Sequence, residues 1–505
     1  MGISWLDMLI IFVYFGGIIA IGFIFKKYVK SAEDFFLGGR SLPWWSIGMA
    51  IVVSDIGAHE FIGGAGGAYR FGFVQGNYDW IGCIPAMVIS GLFFVAYFWR
   101  AGVYTVPEYL GRRYNVWVRV IQAFVWTLFM IGMTGILFWI IAIFLNETLG
   151  WPMIVSILVT AIIGGISVVA GGMGAVVMNN VLQMVVLFAG GIAIIGLGLN
   201  SCGGLGGMVE KINALGPEFK DHFKLMLPTG TKTPYPWTAV LFGLSFVLSP
   251  AYWIANQSIV QKALCAKNEW NAKAGMLWAA VLKTFIPLLI VFPGLIALAM
   301  TGNGLSDGDR AVPYLIKEIL PVGLKGLVFA IFFGAMTATI IGLASSTATI
   351  FTQDFYQLIL VKNKEDKHYL FVGRLVTVVT ICLGIVISFM GKIFENIGIF
   401  AAMQTMLAVF QGPTFAILIL GMFWKKASPA GGLSGMIAGV CSALLMFIFS
   451  KQIYPSVVDP FLYIAWWSFI VGIVVTVAVS LFGNKKLPPE KVKELMYTSD
   501  AIKET

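Results

Sequence analysis

The sequence predicts an all-α polytopic membrane protein of about thirteen transmembrane helices, and three observations predict it. Hydrophobic residues make up 59% of the 505 residues and charged residues only 11%, with a mean hydropathy of +0.89. Soluble domains carry about 25% charged residues. Apolar runs of about 20 residues, enough to cross a bilayer core, recur along the whole chain. Two of these runs are interrupted by polar and helix-breaking residues at matched positions, five spans apart, as in transporters built from inverted repeats.

The runs fall near 5–25, 43–66, 76–99, 117–146, 152–170, 178–199, 236–262, 275–301, 320–352, 369–391, 395–423, 430–450 and 460–482. The first is not read as a cleavable signal, because no basic residue precedes it and Asp7 lies in its first turns. Between the spans, only 201–235 and 302–319 are sizeable hydrophilic segments. The chain divides into a first extra helix (1–28), one repeat of five helices (43–199), an exterior loop (200–235), a second repeat of five (236–423), two further helices (430–482) and a Lys- and Glu-rich tail (483–505). With the N-terminus outside, two thirds of the 33 Lys and Arg fall in cytoplasmic loops or the tail. The positive-inside rule therefore predicts an exterior N-terminus and a cytoplasmic C-terminus, with the plasma membrane as the expected location.

Composition also excludes other classes. The net charge of +9 comes from short loops between apolar spans, which argues against a nucleic-acid partner. Five scattered cysteines without a CxxC or Cys/His cluster indicate neither a disulfide framework nor a metal centre. His59, His222 and His368 lie far apart and no hydrolase or acyltransferase motif is visible, so no enzymatic activity is expected. Neither a cofactor nor an obligate protein partner is indicated.

The first interrupted run is Val52-Val53-Ser54-Asp55-Ile56-Gly57-Ala58-His59-Glu60-Phe61. Ionisable groups at mid-membrane depth cost several kcal/mol unless they face a cavity, partner or ligand. Glycine beside them lets a helix open and offer carbonyls to an ion. The second is Leu248-Ser249-Pro250-Ala251-Tyr252-Trp253-Ile254-Ala255-Asn256-Gln257, where Pro250 removes a backbone donor. Pro250 alone is equally compatible with a kink in a packed helix. The matched pair of breaks points to a binding site between the two halves of a transporter.

Several segments resemble the sodium–solute symporter family, nearest its sodium/glucose branch. They are Ser31-Ala-Glu-Asp-Phe-Phe-Leu-Gly-Gly-Arg-Ser-Leu-Pro-Trp-Trp45, Gly102-Val-Tyr-Thr-Val-Pro-Glu-Tyr-Leu110, Gln261-Lys262-Ala-Leu-Cys-Ala-Lys267, Ser346-Thr-Ala-Thr-Ile-Phe-Thr352 and Phe423-Trp-Lys-Lys426. The resemblance implies a core of two inverted five-helix repeats and a sodium site between the first broken span and the ninth. Its ligands would be carbonyls of Val53, Ile56 and Ala335 and the hydroxyl of Thr339. Oxygen ligands suit a hard cation. Ala338 stands where the family usually has a second hydroxyl residue. Asn180 replaces an aspartate that many relatives carry early in the sixth span, and a single coupled Na+ is expected.

The resemblance further implies that Asp55, Glu60, Asp79, Ser249, Trp253, Lys283 and Gln404 bind solute. It implies gates at Tyr78, Tyr252 and Phe400, with Gly64 too small to contribute. Sugar-transporting relatives use amides, a glutamate, aromatic rings and a lysine, because hydroxyls need both donors and acceptors. Here Asp79 replaces that glutamate, and Asp55 and Glu60 add acid. Asp55 could balance sodium, a carboxylate could be protonated, or the solute could carry an amine. Glu60 could instead pair with Arg70 at the outer mouth. The expected function is sodium-coupled symport of a small polar solute across the lipid bilayer by alternating access, with a sugar or polyol favoured. The alternative is sodium- or proton-coupled uptake of an amine-bearing or zwitterionic solute.

Overall fold

The computed structural model describes residues 4–57, 59–231, 233–389, 399–455, 457, 460–483 and 495–496. Among these the chain is helical with no strand. Nine helices are long and apolar enough to cross a membrane, or eleven if each of two sharply bent pairs counts as one span. The positions of the thirteen predicted runs are met if two further divisions are accepted. One separates the 50-residue helix Met153–Cys202 at Gly172, and the other adds Ile399–Phe423. Gly172 has φ +56°, and a Cβ there would lie 2.7 Å from the Phe35 carbonyl oxygen, so the turn requires glycine. It lies inside the gap expected between residues 170 and 178.

Sequence explains the helix ends locally. Ser4 and Asp7 form a reciprocal capping box at the start of Trp5–Lys26. The same Asp7 carboxylate accepts from the Gly323 and Gly326 N–H groups at 2.8 and 2.7 Å, which ties this first helix to the start of Leu324–Ile350. Asn268 caps Glu269–Lys283, so this span begins earlier than the apolar run from residue 275 suggests. The chain turns at Thr284 and Phe285 before continuing as Ile286–Thr301, which leaves Lys283 at the last position of its helix.

Burial separates centre from rim. In the segment Leu324–Leu360, 94% of the apolar window is buried, against 22% for Trp5–Lys26. The former is therefore the central helix, while the latter presents most of its surface to lipid. Met153–Cys202 packs against Trp5–Lys26, Trp44–Asp55 and Leu324–Ile350. Pro429–Ile448 and Phe461–Phe482 pack on each other, and both lie against Ile399–Phe423.

Candidate binding site at the two broken helices

The first broken span leaves helical geometry at Ile56 (φ −81°, ψ 80°) and resumes through wide turns at His59–Gly63, with a 63° bend between its halves. At the break the Gly57 N–H donates to the Asp55 carbonyl at 2.9 Å, and the Glu60 N–H to the Gly57 carbonyl at 3.1 Å. In a continuous helix those two donors would serve Val53 and Ile56. Their redirection takes these two helical donors from the Val53 and Ile56 carbonyls.

The second broken span opens six residues beyond Pro250. Pro250 lies inside the continuous helical run Ala239–Ala255, just after the wide turns of Ala239–Leu248, and does not end it. The interruption is at Asn256, in extended geometry, and the two halves meet at 48°. Asn256 Oδ1 accepts from the Ser258 N–H at 2.9 Å and so caps the second half, Gln257–Leu264. The break is set by this side chain rather than by the proline that marked it in the sequence.

One cavity lies where the two breaks face each other. Its walls include Asp55 and Glu60 from the first broken span, Tyr78, Ser249, Tyr252 and Trp253, Thr339 from the central helix, and Gln404. Among predicted solute residues, Asp79 and Lys283 sit behind this wall. Lys283 is fully buried and forms ion pairs with both Asp55 and Asp79, the latter at 2.8 Å. A buried ammonium needs such compensation, because desolvation of an unpaired charge costs several kcal/mol. Arg70 pairs with Asp307 and Asp309 at 2.8 and 2.9 Å, joining the first broken span to the 302–319 loop. Burial pushes the Asp309 carboxyl up to about 6, against the opposing pull of Arg70.

Tyr78 donates to Gln404 Oε1 at 2.5 Å, linking the two walls on one side of the cavity. Tyr252 and Trp253 meet edge to face with ring centroids 5.4 Å apart. The Phe400 side chain lies outside the described residues. Val53, Ile56, Ala335 and Ala338 are buried without lining the cavity. Thr339 Oγ1 donates to the Ala335 carbonyl at 3.0 Å, which leaves its lone pairs available.

Asn180 acquires a visible role. Its Nδ2 donates to the Ala50 carbonyl at 3.2 Å and to Ser54 Oγ at 2.8 Å, one turn before the first break. An ionised aspartate could only accept, so the amide makes contacts that the carboxylate expected at this position would not. Sequence reading also passed over Ser54, Cys83, Phe129, Met133, Ser258 and Gln411, all of which line the cavity. For Gln411 a signal existed: it follows Gln404 by seven residues, two turns along the same helix face.

A model of the "Sodium:solute symporter family" matches residues 35–439. The chain belongs to the sodium:solute symporter family. Sodium is accordingly the coupling ion of this symporter, and no other cofactor is indicated. It is 31% identical to the sodium/glucose cotransporter of Vibrio parahaemolyticus, over 88% of this chain and 86% of that one. It is 28% identical to sodium/glucose cotransporter 1 of Oryctolagus cuniculus, over 99% and 82% of the two chains. With sodium/myo-inositol cotransporter 2 of the same species the identity is 27%, over 96% and 77%. In structure, the symporter shares the fold of a Na+-coupled sialic acid symporter solved in a substrate-bound, outward-open state. The TM-score is 0.83 at 20% identity, over 96% of this chain and 100% of the other. A nucleobase-cation-symport-1 family transporter matches less closely, with a TM-score of 0.55 at 13% identity. It is a multi-pass membrane protein, and its family and relatives are transporters.

Proposed function

We propose that this symporter uses the inward sodium gradient to accumulate a sugar or polyol by alternating access. The observation that carries the reading is the clamping of Lys283 between Asp55 and Asp79. It ties two of the three carboxylates that made the sequence look suited to an amine to one ammonium. The cavity then offers an amide, hydroxyls and aromatic faces, the groups that recognise a polyhydroxylated neutral solute. Relatives named for glucose and myo-inositol support the same class.

Sodium is assigned to the carbonyls of Val53 and Ile56, which the first break frees from their helical donors, together with Ala335, Ala338 and the Thr339 hydroxyl from the central helix. Bound there, the ion holds the first broken span against that helix and raises solute affinity by coupling of the two sites. Asp55, Glu60, Ser249, Trp253 and Gln404 are assigned to the solute, with Asp79 and Lys283 behind them. Tyr78, Tyr252 and Phe400 are assigned to the gates. The working parts are the two repeats at 43–199 and 236–423, in a plasma membrane with the N-terminus outside.

The test is uptake of labelled D-glucose, myo-inositol and amino acids into proteoliposomes, driven first by a sodium gradient and then by a proton gradient alone. Sodium-driven accumulation of glucose or inositol is the expected result. Accumulation of an amino acid, or drive by protons alone, overturns the reading. In the same vesicles Thr339→Val, which keeps shape and removes the hydroxyl, should raise the sodium concentration for half-maximal uptake about tenfold, equivalent to about 1.4 kcal/mol. An unchanged sodium dependence would remove Thr339 from the site.

The amine reading keeps one observation in its favour, since Asp55 and Glu60 both line the cavity. Asp55→Asn separates the two. Lys283 retains Asp79 in that variant, so sugar uptake should fall only a few-fold, whereas a cationic solute bound through Asp55 would no longer be transported.

A further inference from the structure

Most buried side-chain amides in this protein are satisfied. Gln122 donates to Thr414 Oγ1 at 2.8 Å, Gln257 accepts from the Val106 N–H at 3.0 Å and donates to the Tyr104 carbonyl at 3.0 Å, and Gln261 donates to the Phe36 carbonyl at 2.7 Å. Gln411 is different. It is 1% exposed, and neither its Oε1 nor its Nε2 has a hydrogen-bond partner among the described residues. An amide offers two donors and two acceptor lone pairs, and burying it unsatisfied costs on the order of 1–3 kcal/mol.

Its position says where those bonds go. Gln411 lines the cavity shared with Gln404, on the same face of Ile399–Phe423. Seven residues at 1.5 Å rise place it about 10 Å further along the helix axis, toward the Phe423 end. Phe129 and Met133, one turn apart on Val116–Leu149, contribute apolar wall to the same cavity. A polar group set among such residues reads orientation, because every bond it makes replaces one that water would otherwise supply.

We infer that Gln411 is a solute-recognition residue that binds one hydroxyl of the transported solute, donating through Nε2 and accepting through Oε1, at the end of the cavity beyond Gln404. This inference rests on the sugar or polyol reading above. A hydroxyl is the group that satisfies both atoms together, since it donates and accepts at one centre. Gln404 and Gln411 would then hold the solute from two points along one helix, and its length and hydroxyl pattern would be selected between them.

The test compares full-length wild-type protein with Gln411→Leu in proteoliposomes under a sodium gradient. The probes are D-glucose, myo-inositol and a set of monodeoxy-glucose analogues. Leucine keeps the bulk and removes an unpaired polar group, so the variant should fold and melt at or above the wild-type temperature in detergent. Its KM for the transported parent solute should rise about tenfold. At one hydroxyl position the wild-type preference for parent over deoxy analogue, also about tenfold, should vanish in the variant. Equal discrimination by both proteins at every position, the signature of an amide that holds only water, overturns the inference while leaving the sugar reading intact. A lower melting temperature also overturns it, by giving Gln411 a structural partner. If the wild type takes up none of the probes, the sugar reading fails and the inference falls with it.

Discussion

Lys283→Met should be the most damaging single substitution in this symporter. Methionine matches the lysine stem and removes only the charge, but it leaves the buried carboxylates of Asp55 and Asp79 without the ammonium they share. Breaking a buried pair by removing one partner costs about 3–5 kcal/mol, and here two carboxylates lose the same partner. Transport should be abolished and the melting temperature in detergent should fall sharply. The triple variant Lys283→Met with Asp55→Asn and Asp79→Asn removes all three charges, and it should recover most of the thermal stability without transport. If Lys283→Met alone melts like wild type, the three residues are not a compensated cluster. Asp55→Asn by itself is milder, because the lysine keeps its second carboxylate.

Arg113→Leu should be the second largest effect, and one of stability. Arg113 is fully buried and no carboxylate pairs with it among the described residues. Its guanidinium instead donates to the carbonyls of Gly421, Trp424 and Ala427 at 2.7, 3.0 and 3.0 Å, at the C-terminal end of Ile399–Phe423. Gly421 is in the last turn of that helix, whose carbonyls lack helical donors and carry the negative end of its dipole, and the Trp424 carbonyl also accepts from the Ala427 N–H at 3.2 Å. The Tyr114 ring adds a cation–π contact at 5.2 Å. Leucine would strand the buried Gly421 and Ala427 carbonyls, each worth about 1–3 kcal/mol, while Trp424 keeps the Ala427 N–H as a donor. The thermal midpoint in detergent should drop, with loss of monodisperse protein. Arg113→Lys should restore only part of it, since an ammonium cannot reach three carbonyls as a planar fork does. Full recovery with lysine would show that the charge matters and the fork does not.

These two residues show what could be read in advance. Lys283 stood out in the sequence as a lone cation within an apolar run, but its partners lie 228 residues away in the case of Asp55, and nothing local announces them. Arg113 sits in a short polar stretch, where it looks like an ordinary loop cation. Only the fold brings the end of another helix, 308 residues on, against it. Pro250 was visible and drew attention to the right span, yet the helix runs through it from Ala239 to Ala255 and opens at Asn256, whose amide caps the next helix. Asn180, where the resemblance leads one to expect an aspartate, reads as a lost charge in the sequence and is a donor to Ser54 in the folded protein.

The sequence by itself determined that the chain is a bundle of membrane helices, roughly where its spans lie, and that two of them are broken at matched positions. Those properties are local. Hydropathy over about 20 residues decides whether a segment enters a bilayer, and glycine, proline and capping side chains act within a turn or two of where they stand. The family, too, was legible, from short segments in a fixed order. Tertiary structure alone decided which polar groups share a cavity, which carboxylates the lysine compensates, and which amide is left without a partner. These are properties of pairs far apart in the chain, whose energies arise only when packing removes the water between them.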